Sequence, residues 1–231
     1  MLAKTYQGKS LRYISVEPDG YDADRSYSMI ILLHGFGSNM SDLAGLAEVI
    51  DSRSYVYICP NAPLEMRFGP RDVGYAWADR YDRSTSEQWQ AAGSQLNTLI
   101  DEVMAQYKVQ PGRVLLGGFS QGGMMTYMCG LTRPELFSGI FALSARVPDP
   151  EGLRGRLPEN RSQKVFVSHG VADSMIPIDE GRFSKDFLEA EGYEVAYHEY
   201  RMGHQINSDV VADLRAWLGE LRVTNQELRQ V

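Results

Sequence analysis

Cysteine, histidine and long apolar runs are all scarce in this chain of 231 residues, and each scarcity excludes something. The two cysteines, Cys59 and Cys129, are too few for a disulfide scaffold and lack the C-x-x-C spacing of a redox or zinc motif, so they read as buried free thiols. No window reaches the roughly 18–20 uninterrupted apolar residues that a membrane-spanning helix needs. The segment from Met1 to Leu11 is polar, without the apolar core or small-residue cleavage site of a secretory signal, and a cytoplasmic location is expected. Cations are outnumbered, 23 Lys and Arg against 30 Asp and Glu, for a net charge of −7. Such a surface repels phosphate backbones and anionic headgroups, so neither nucleic acid nor stable membrane insertion is expected. A small-molecule substrate is the expected partner.

What is present is an alternation of short β-branched runs with longer segments of helical period. That pattern predicts one α/β domain over residues 1–231, with a mostly parallel, twisted sheet of about seven strands and helices on both faces. The strand candidates are Leu11–Val16, Met29–Leu33, Tyr55–Cys59, Arg113–Gly117, Gly139–Leu143, Lys164–Ser168 and Glu194–Tyr200. Met29–Leu33 is apolar without alternation, as in a strand covered on both faces. Trp89, Ala92, Leu96, Leu99, Ile100, Val103 and Tyr107 form one stripe and predict a helix over Ser86–Tyr107. Ser84 and Glu87 match a capping box at its start. Further helices are expected over Asp179–Ala190 and Ser208–Leu221, followed by a frayed polar tail over 222–231. Two long irregular stretches, Pro60–Arg83 and Pro148–Gln163, interrupt the pattern, the first being a candidate lid or pocket wall.

Chemistry enters at Gly118-Phe119-Ser120-Gln121-Gly122. G-x-S-x-G alone is a common pattern. Here it follows the buried run Val114–Gly117 and precedes an apolar helical stretch with Met124, Met125, Tyr127 and Met128. A serine on such a strand-to-helix turn takes strained backbone angles that expose its hydroxyl, and the flanking glycines avoid clashes. A serine hydroxyl needs a base to act as a nucleophile. Of the four histidines, His34 and His169 end strands, and His198 lies inside one. His204, after the last strand, has the place in chain order that a base requires. Asp173, in the loop after Lys164–Ser168, is the candidate acid that orients it. Asp179 is the rival, but it stands at a helix start and reads better as a cap or dipole partner; Asp149 is weaker still. The backbone N–H groups of Gln121 and of Phe36, in the turn His34-Gly35-Phe36-Gly37, are the expected oxyanion donors.

Taken together, Leu33-His34-Gly35, Gly117–Gly123, His169-Gly170-x-x-Asp173-x-x-Ile176-Pro177 and Gly203-His204 resemble the phospholipase/carboxylesterase family, which includes acyl-protein thioesterases and small bacterial carboxylesterases. The resemblance runs from about Leu33 to Leu221. It implies a single-domain α/β-hydrolase fold, with no cofactor and no metal, and a triad of Ser120, Asp173 and His204 with the Phe36 and Gln121 amides as oxyanion hole. It also implies hydrolysis of short to medium carboxylic esters through an acyl-enzyme, with thioesters and lysophospholipids as further substrate classes, and it allows a monomer or a homodimer. Acyl-protein thioesterases carry Trp-Phe-Asp and Ser-Cys-Trp-Leu-Pro where this chain has Trp77-Ala78-Asp79 and Ser144-Ala145-Arg146-Val147-Pro148. Those departures favour a general carboxylesterase, with an acyl-protein thioesterase as the alternative. A catalytically silent binding protein of the same fold is more remote, because no triad member is missing.

Met66, Phe68, Tyr75 and Trp77, with Met175 and Ile176, are candidates to wall an apolar acyl pocket. Arg67, Arg71, Arg80 and Arg83 cluster in the same loop. They read either as a salt-bridged, solvated face or as attraction for an anionic substrate, the former being favoured.

Overall fold

The apolar runs become the inner strands of one eight-stranded sheet. The computed structural model describes residues 1–70, 72–80 and 83–227, with 222–227 described by their backbone alone. The sheet order is β1 (Leu2–Gln7), β2 (Arg12–Glu17), β4 (Tyr55–Pro60), β3 (Ser28–Leu33), β7 (Val114–Phe119), β8 (Phe137–Leu143), β9 (Lys164–Gly170) and β10 (Glu194–Tyr200). The pairings β1–β2 and β2–β4 are antiparallel and the rest are parallel, so β2 alone runs against its neighbours.

All seven expected strands are present. The eighth, β1, is an edge strand with a nearly all-exposed pattern. It is held by its ladder to β2 and by a Lys4–Glu17 ion pair at 2.8 Å. A strand that buries neither face carries no periodic signal, which is why a polar terminus was expected there. The Pro60–Arg83 stretch likewise holds a short hairpin, β5 (Leu64–Arg67) with β6 (Val73–Ala76).

Among the described residues six helices cover the sheet: α1 (Leu46–Asp51), α2 (Ser86–Gln106), α3 (Gln121–Gly130), α4 (Pro150–Arg154), α5 (Ile178–Ala190) and α6 (Ser208–Glu227). Side chains of β3 alternate between two apolar layers. Met29, Ile31 and Leu33 join the α2 stripe of Trp89, Ala92, Leu96, Leu99, Ile100 and Val103 on one side. Ile30 and Leu32 join Val210, Leu214, Trp217 and Leu218 of α6 on the other. Each fully buried aliphatic or aromatic side chain contributes about 1.5–3 kcal/mol of transfer free energy. In α3 all ten residues are buried, so the helix behind Ser120 is part of the core.

The helix ends depart from expectation at α2 and α6, and at α5 they leave Asp179 the dipole partner rather than the cap. The capping box of α2 lies one residue later, at Thr85 and Gln88, because Thr85 has the extended backbone of an N-cap. Pro177 precedes α5 without a side-chain cap, and Asp179 sits in the first turn, 3.4 Å from Arg182. The polar tail expected after Leu221 continues α6 to Glu227, and residues 228–231 lie outside the described residues. Polar residues can extend a helix without leaving an apolar signal in the sequence. Within Pro148–Gln163, Asp149 caps α4 by accepting from Gly152 N at 3.0 Å.

Candidate active site

Parallel strands deliver their C-terminal ends to one edge of the sheet, and the loops there carry the chemistry. Ser120 joins β7 to α3 with φ +54° and ψ −118°, a conformation costly for a side-chain-bearing residue and held by its surroundings. Its N–H donates to Leu143 O at 2.9 Å, and its carbonyl accepts from Met124 N at 3.1 Å. The turn is tight enough that only glycine fits beside it. A Cβ on Gly122 would stand 2.0 Å from Leu33 O, and one on Gly118 would stand 2.4 Å from the Gly122 carbonyl carbon.

His204 arrives on the loop between β10 and α6, and Asp173 on the loop after β9. His204 Nδ1 lies 2.7 Å from Asp173 Oδ2, and His204 Nε2 lies 2.9 Å from Ser120 Oγ. Because a carboxylate only accepts, Nδ1 carries the proton and Nε2 is left to accept from the serine hydroxyl. The other carboxylate oxygen, Asp173 Oδ1, accepts from the amides of Met175 and Ile176, both at 2.9 Å. The Asp173 side chain is sealed from solvent while that of His204 is 17% exposed. Phe119 packs against the imidazole with ring centroids 4.8 Å apart. The rival Asp179 is exposed and ion-paired, and Asp149 is a helix cap.

The turn after β3 lies directly over the serine: a Cβ on Gly35 would be 3.4 Å from Ser120 Cβ. Among the described residues the amides of Phe36 and Gln121 donate to no acceptor. His34 holds this turn from behind. Its Nδ1–H donates to Gly35 O at 2.7 Å and its Nε2 accepts from Ala62 N at 3.0 Å. Burial lowers its pKa from the ordinary 6.5, consistent with an imidazole that acts as a neutral clamp. The hairpin is tied on by Gly37 N to Tyr75 O at 2.9 Å and Tyr75 N to Ser38 O at 2.7 Å.

Trp77 is corrected from pocket wall to internal support. It is 0% exposed; its Nε1–H donates to His34 O at 3.0 Å and its backbone N–H to Gln121 Oε1 at 2.8 Å. Gln121 Nε2 in turn donates to Ala78 O at 2.8 Å. The sequence pointed to the Gln121 amide but missed its side chain, since the x of G-x-S-x-G carries no signal of its own. Of the other wall candidates, Phe68 and Met175 are 55% and 73% exposed, Met66 and Tyr75 are half-buried, and Ile176 is buried beneath the acid turn. Phe68 lies over the turn after β3, its ring edge 3.0 Å from where a Cβ on Gly37 would be. Of the arginines, Arg67 pairs with Glu65 at 2.9 Å and Arg83 lies 4.0 Å from Asp79. Arg71 lies outside the described residues. His198 lies on β10, stacked on Phe166 and 3.6 Å from Asp213.

An eight-stranded sheet of this order with serine, aspartate and histidine brought together at its C-terminal edge defines an α/β-hydrolase. The sequence pattern of the phospholipase/carboxylesterase family matches residues 21–221, and the chain belongs to that family. It is 29% identical over 212 residues to acyl-protein thioesterase 1 of Emericella nidulans, covering 82% of this chain and 88% of that one. It is 26% identical over 220 residues to a probable carboxylesterase of Oryza sativa subsp. japonica, covering 89% and 82%. Among solved structures, esterase PE8 superimposes with a TM-score of 0.79 at 27% identity, covering 92% of this chain and 99% of the other. The protein is accordingly a serine hydrolase of the esterase and thioesterase type. Among the described residues no helix is long and apolar enough to cross a membrane.

Proposed function

We propose that the protein hydrolyses short to medium carboxylic esters through an acyl-enzyme on Ser120, with thioesters as a second substrate class. The observation that carries this reading is the unbroken chain from Asp173 Oδ2 to His204 at 2.7 Å and from His204 to Ser120 Oγ at 2.9 Å. In the first step Ser120 Oγ attacks the acyl carbon while His204 Nε2 takes its proton. The imidazolium that forms is stabilised by Asp173. The carbonyl oxygen becomes an oxyanion, and the Phe36 and Gln121 amides, which donate to no acceptor among the described residues, are available to stabilise it. Collapse of the intermediate expels the alcohol or thiol, which receives the proton from His204. Water then attacks the ester on Ser120, activated by the same base, and the carboxylic acid leaves.

Phe68, exposed over the turn after β3, and Met175, exposed in the loop that carries Asp173, favour an apolar acyl group over a charged one. The name borne by the Emericella nidulans relative favours the thioester reading as the second. A chain-length series of p-nitrophenyl esters and matched thioesters on the purified protein tests both. Highest kcat/KM on short to medium oxygen esters supports the first reading. Preference for long thioesters would replace it with the second, and no hydrolysis of either would refute both.

A further inference from the structure

We infer that His169 is a positioning residue for Asp173, and that its Nε2–H sets how strongly this carboxylate holds His204. The inference rests on the reading of Ser120, His204 and Asp173 as a working triad.

Side chains of β9 alternate between the two layers, and His169 falls on the same face as Val165 and Val167. It is 0% exposed. Its Nε2 stands 2.8 Å from Ile176 O and 3.5 Å from Asp173 Oδ2. Both neighbours are acceptors, so the proton sits on Nε2 and is directed at the carbonyl, with the carboxylate beside it. That carboxylate oxygen is the one that accepts from His204. Ile176 is therefore gripped twice, its carbonyl by His169 and its amide by Asp173. The acid turn cannot swing its carboxylate away from His204 without breaking one of these bonds.

The opposite nitrogen, Nδ1, is buried without a partner among the described residues. It abuts α5 at Gly181, where a Cβ would come within 2.6 Å of it. A buried polar atom left unpaired is destabilising, and a ring needed for volume alone would be better served by phenylalanine. The work of the other nitrogen accounts for a histidine here. Charged groups around the ring come from three elements. On β10, Glu199 is in register with His169 and pairs with Arg182 of α5 at 2.8 Å. The first turn of α5 adds Asp179 and Glu180. The loop after β10 brings His204, which shares Asp173 Oδ2 with the ring.

An N–H beside Asp173 Oδ2 draws off part of the charge that faces His204. Without it, Asp173 holds the His204 imidazolium more tightly while the acid turn loosens. The test is kcat, KM and the pH profile of kcat/KM on p-nitrophenyl acetate for wild type, His169→Phe, His169→Gln and Gly181→Ala. For His169→Phe, kcat should fall roughly 10- to 100-fold with KM little changed, since small misplacements of catalytic groups cost up to about 10²-fold. The acidic limb of its profile should move to higher pH. Glutamine, whose amide N–H reaches toward the same acceptors, should restore most of kcat and return the limb. A phenylalanine variant with wild-type kcat and limb overturns the inference. So does equal loss in both variants with an unmoved limb, the mark of a packing role. Should the phenylalanine variant not fold, Gln and Gly181→Ala decide by the same criteria, the added methyl displacing the ring. Ser120→Ala is run alongside. Activity retained there sinks the triad reading itself, whereas an inactive Ser120→Ala beside wild-type-like His169 variants sinks this inference alone.

Discussion

Replacing Gln121 by methionine isolates what the amide beneath the nucleophile turn contributes. Methionine matches its length and roughly its volume, so the packing change is small. What disappears is the bridge from Trp77 N to Oε1 and from Nε2 to Ala78 O, both 2.8 Å and both buried. Two backbone groups are then stranded without partners. Each costs about 1–3 kcal/mol when left unmade, so the pair costs about 2–6 kcal/mol. In a chain of this size each kcal/mol lowers Tm by about 2–4 °C, which gives a fall of roughly 4–24 °C. Activity should fall as well, because Trp77 also braces the carbonyl of His34 and through it the oxyanion turn. Displacing one oxyanion donor costs about 10²–10³ in kcat at most, and a partial displacement should fall below that with KM nearly unchanged. Thermal melting by circular dichroism and steady-state kinetics on one ester measure both effects. A Tm within about 2 °C of wild type would refute the reasoning, because stranded buried amides cannot be that cheap.

Other substitutions probe separate parts of the account. Asp173→Asn should lower kcat about 10⁴-fold with the fold intact, because an amide N–H facing His204 favours the wrong tautomer; a loss below tenfold in single-turnover kinetics contradicts the assigned role. Burial holds His34 below its ordinary 6.5. The unfolded chain therefore binds more protons as pH drops through that value, and this contribution, complete above about pH 6.5, is lost toward the lower folded value. Tm should fall below pH 6.5 in wild type, and the slope should be shallower in His34→Gln; an unchanged slope removes the assignment. Cys59 and Cys129 are buried free thiols whose pKa burial pushes up to about 12. A thiol reagent at pH 8 should find neither in the native protein and both after unfolding, whereas rapid native labelling contradicts their burial.

The meeting of Ser120, His204 and Asp173 was legible because its signals are local. Ser120 sits in a glycine-flanked turn between two recognisable elements, and four histidines leave few choices of base. Both inner faces of the sheet were legible for the same reason, since Met29–Leu33 has no polar side. The contacts that join distant segments were not. Trp77 looks like a pocket aromatic from its neighbours, yet it lies under the turn because Gln121 and His34 offer it partners 44 and 43 residues away. His169 reads as one more strand end until Ile176 folds back onto it. β1 is invisible to any hydropathy pattern because its pairing is backbone to backbone.

In the proposed reaction Ser120, activated by His204, carries the acyl group. Rapid quenching with p-nitrophenyl acetate followed by peptide mass spectrometry tests it most directly. An acetyl group on the peptide containing Ser120, absent in Ser120→Ala, is the predicted result. Full hydrolysis by Ser120→Ala, or an acetyl group trapped on another residue, would contradict it.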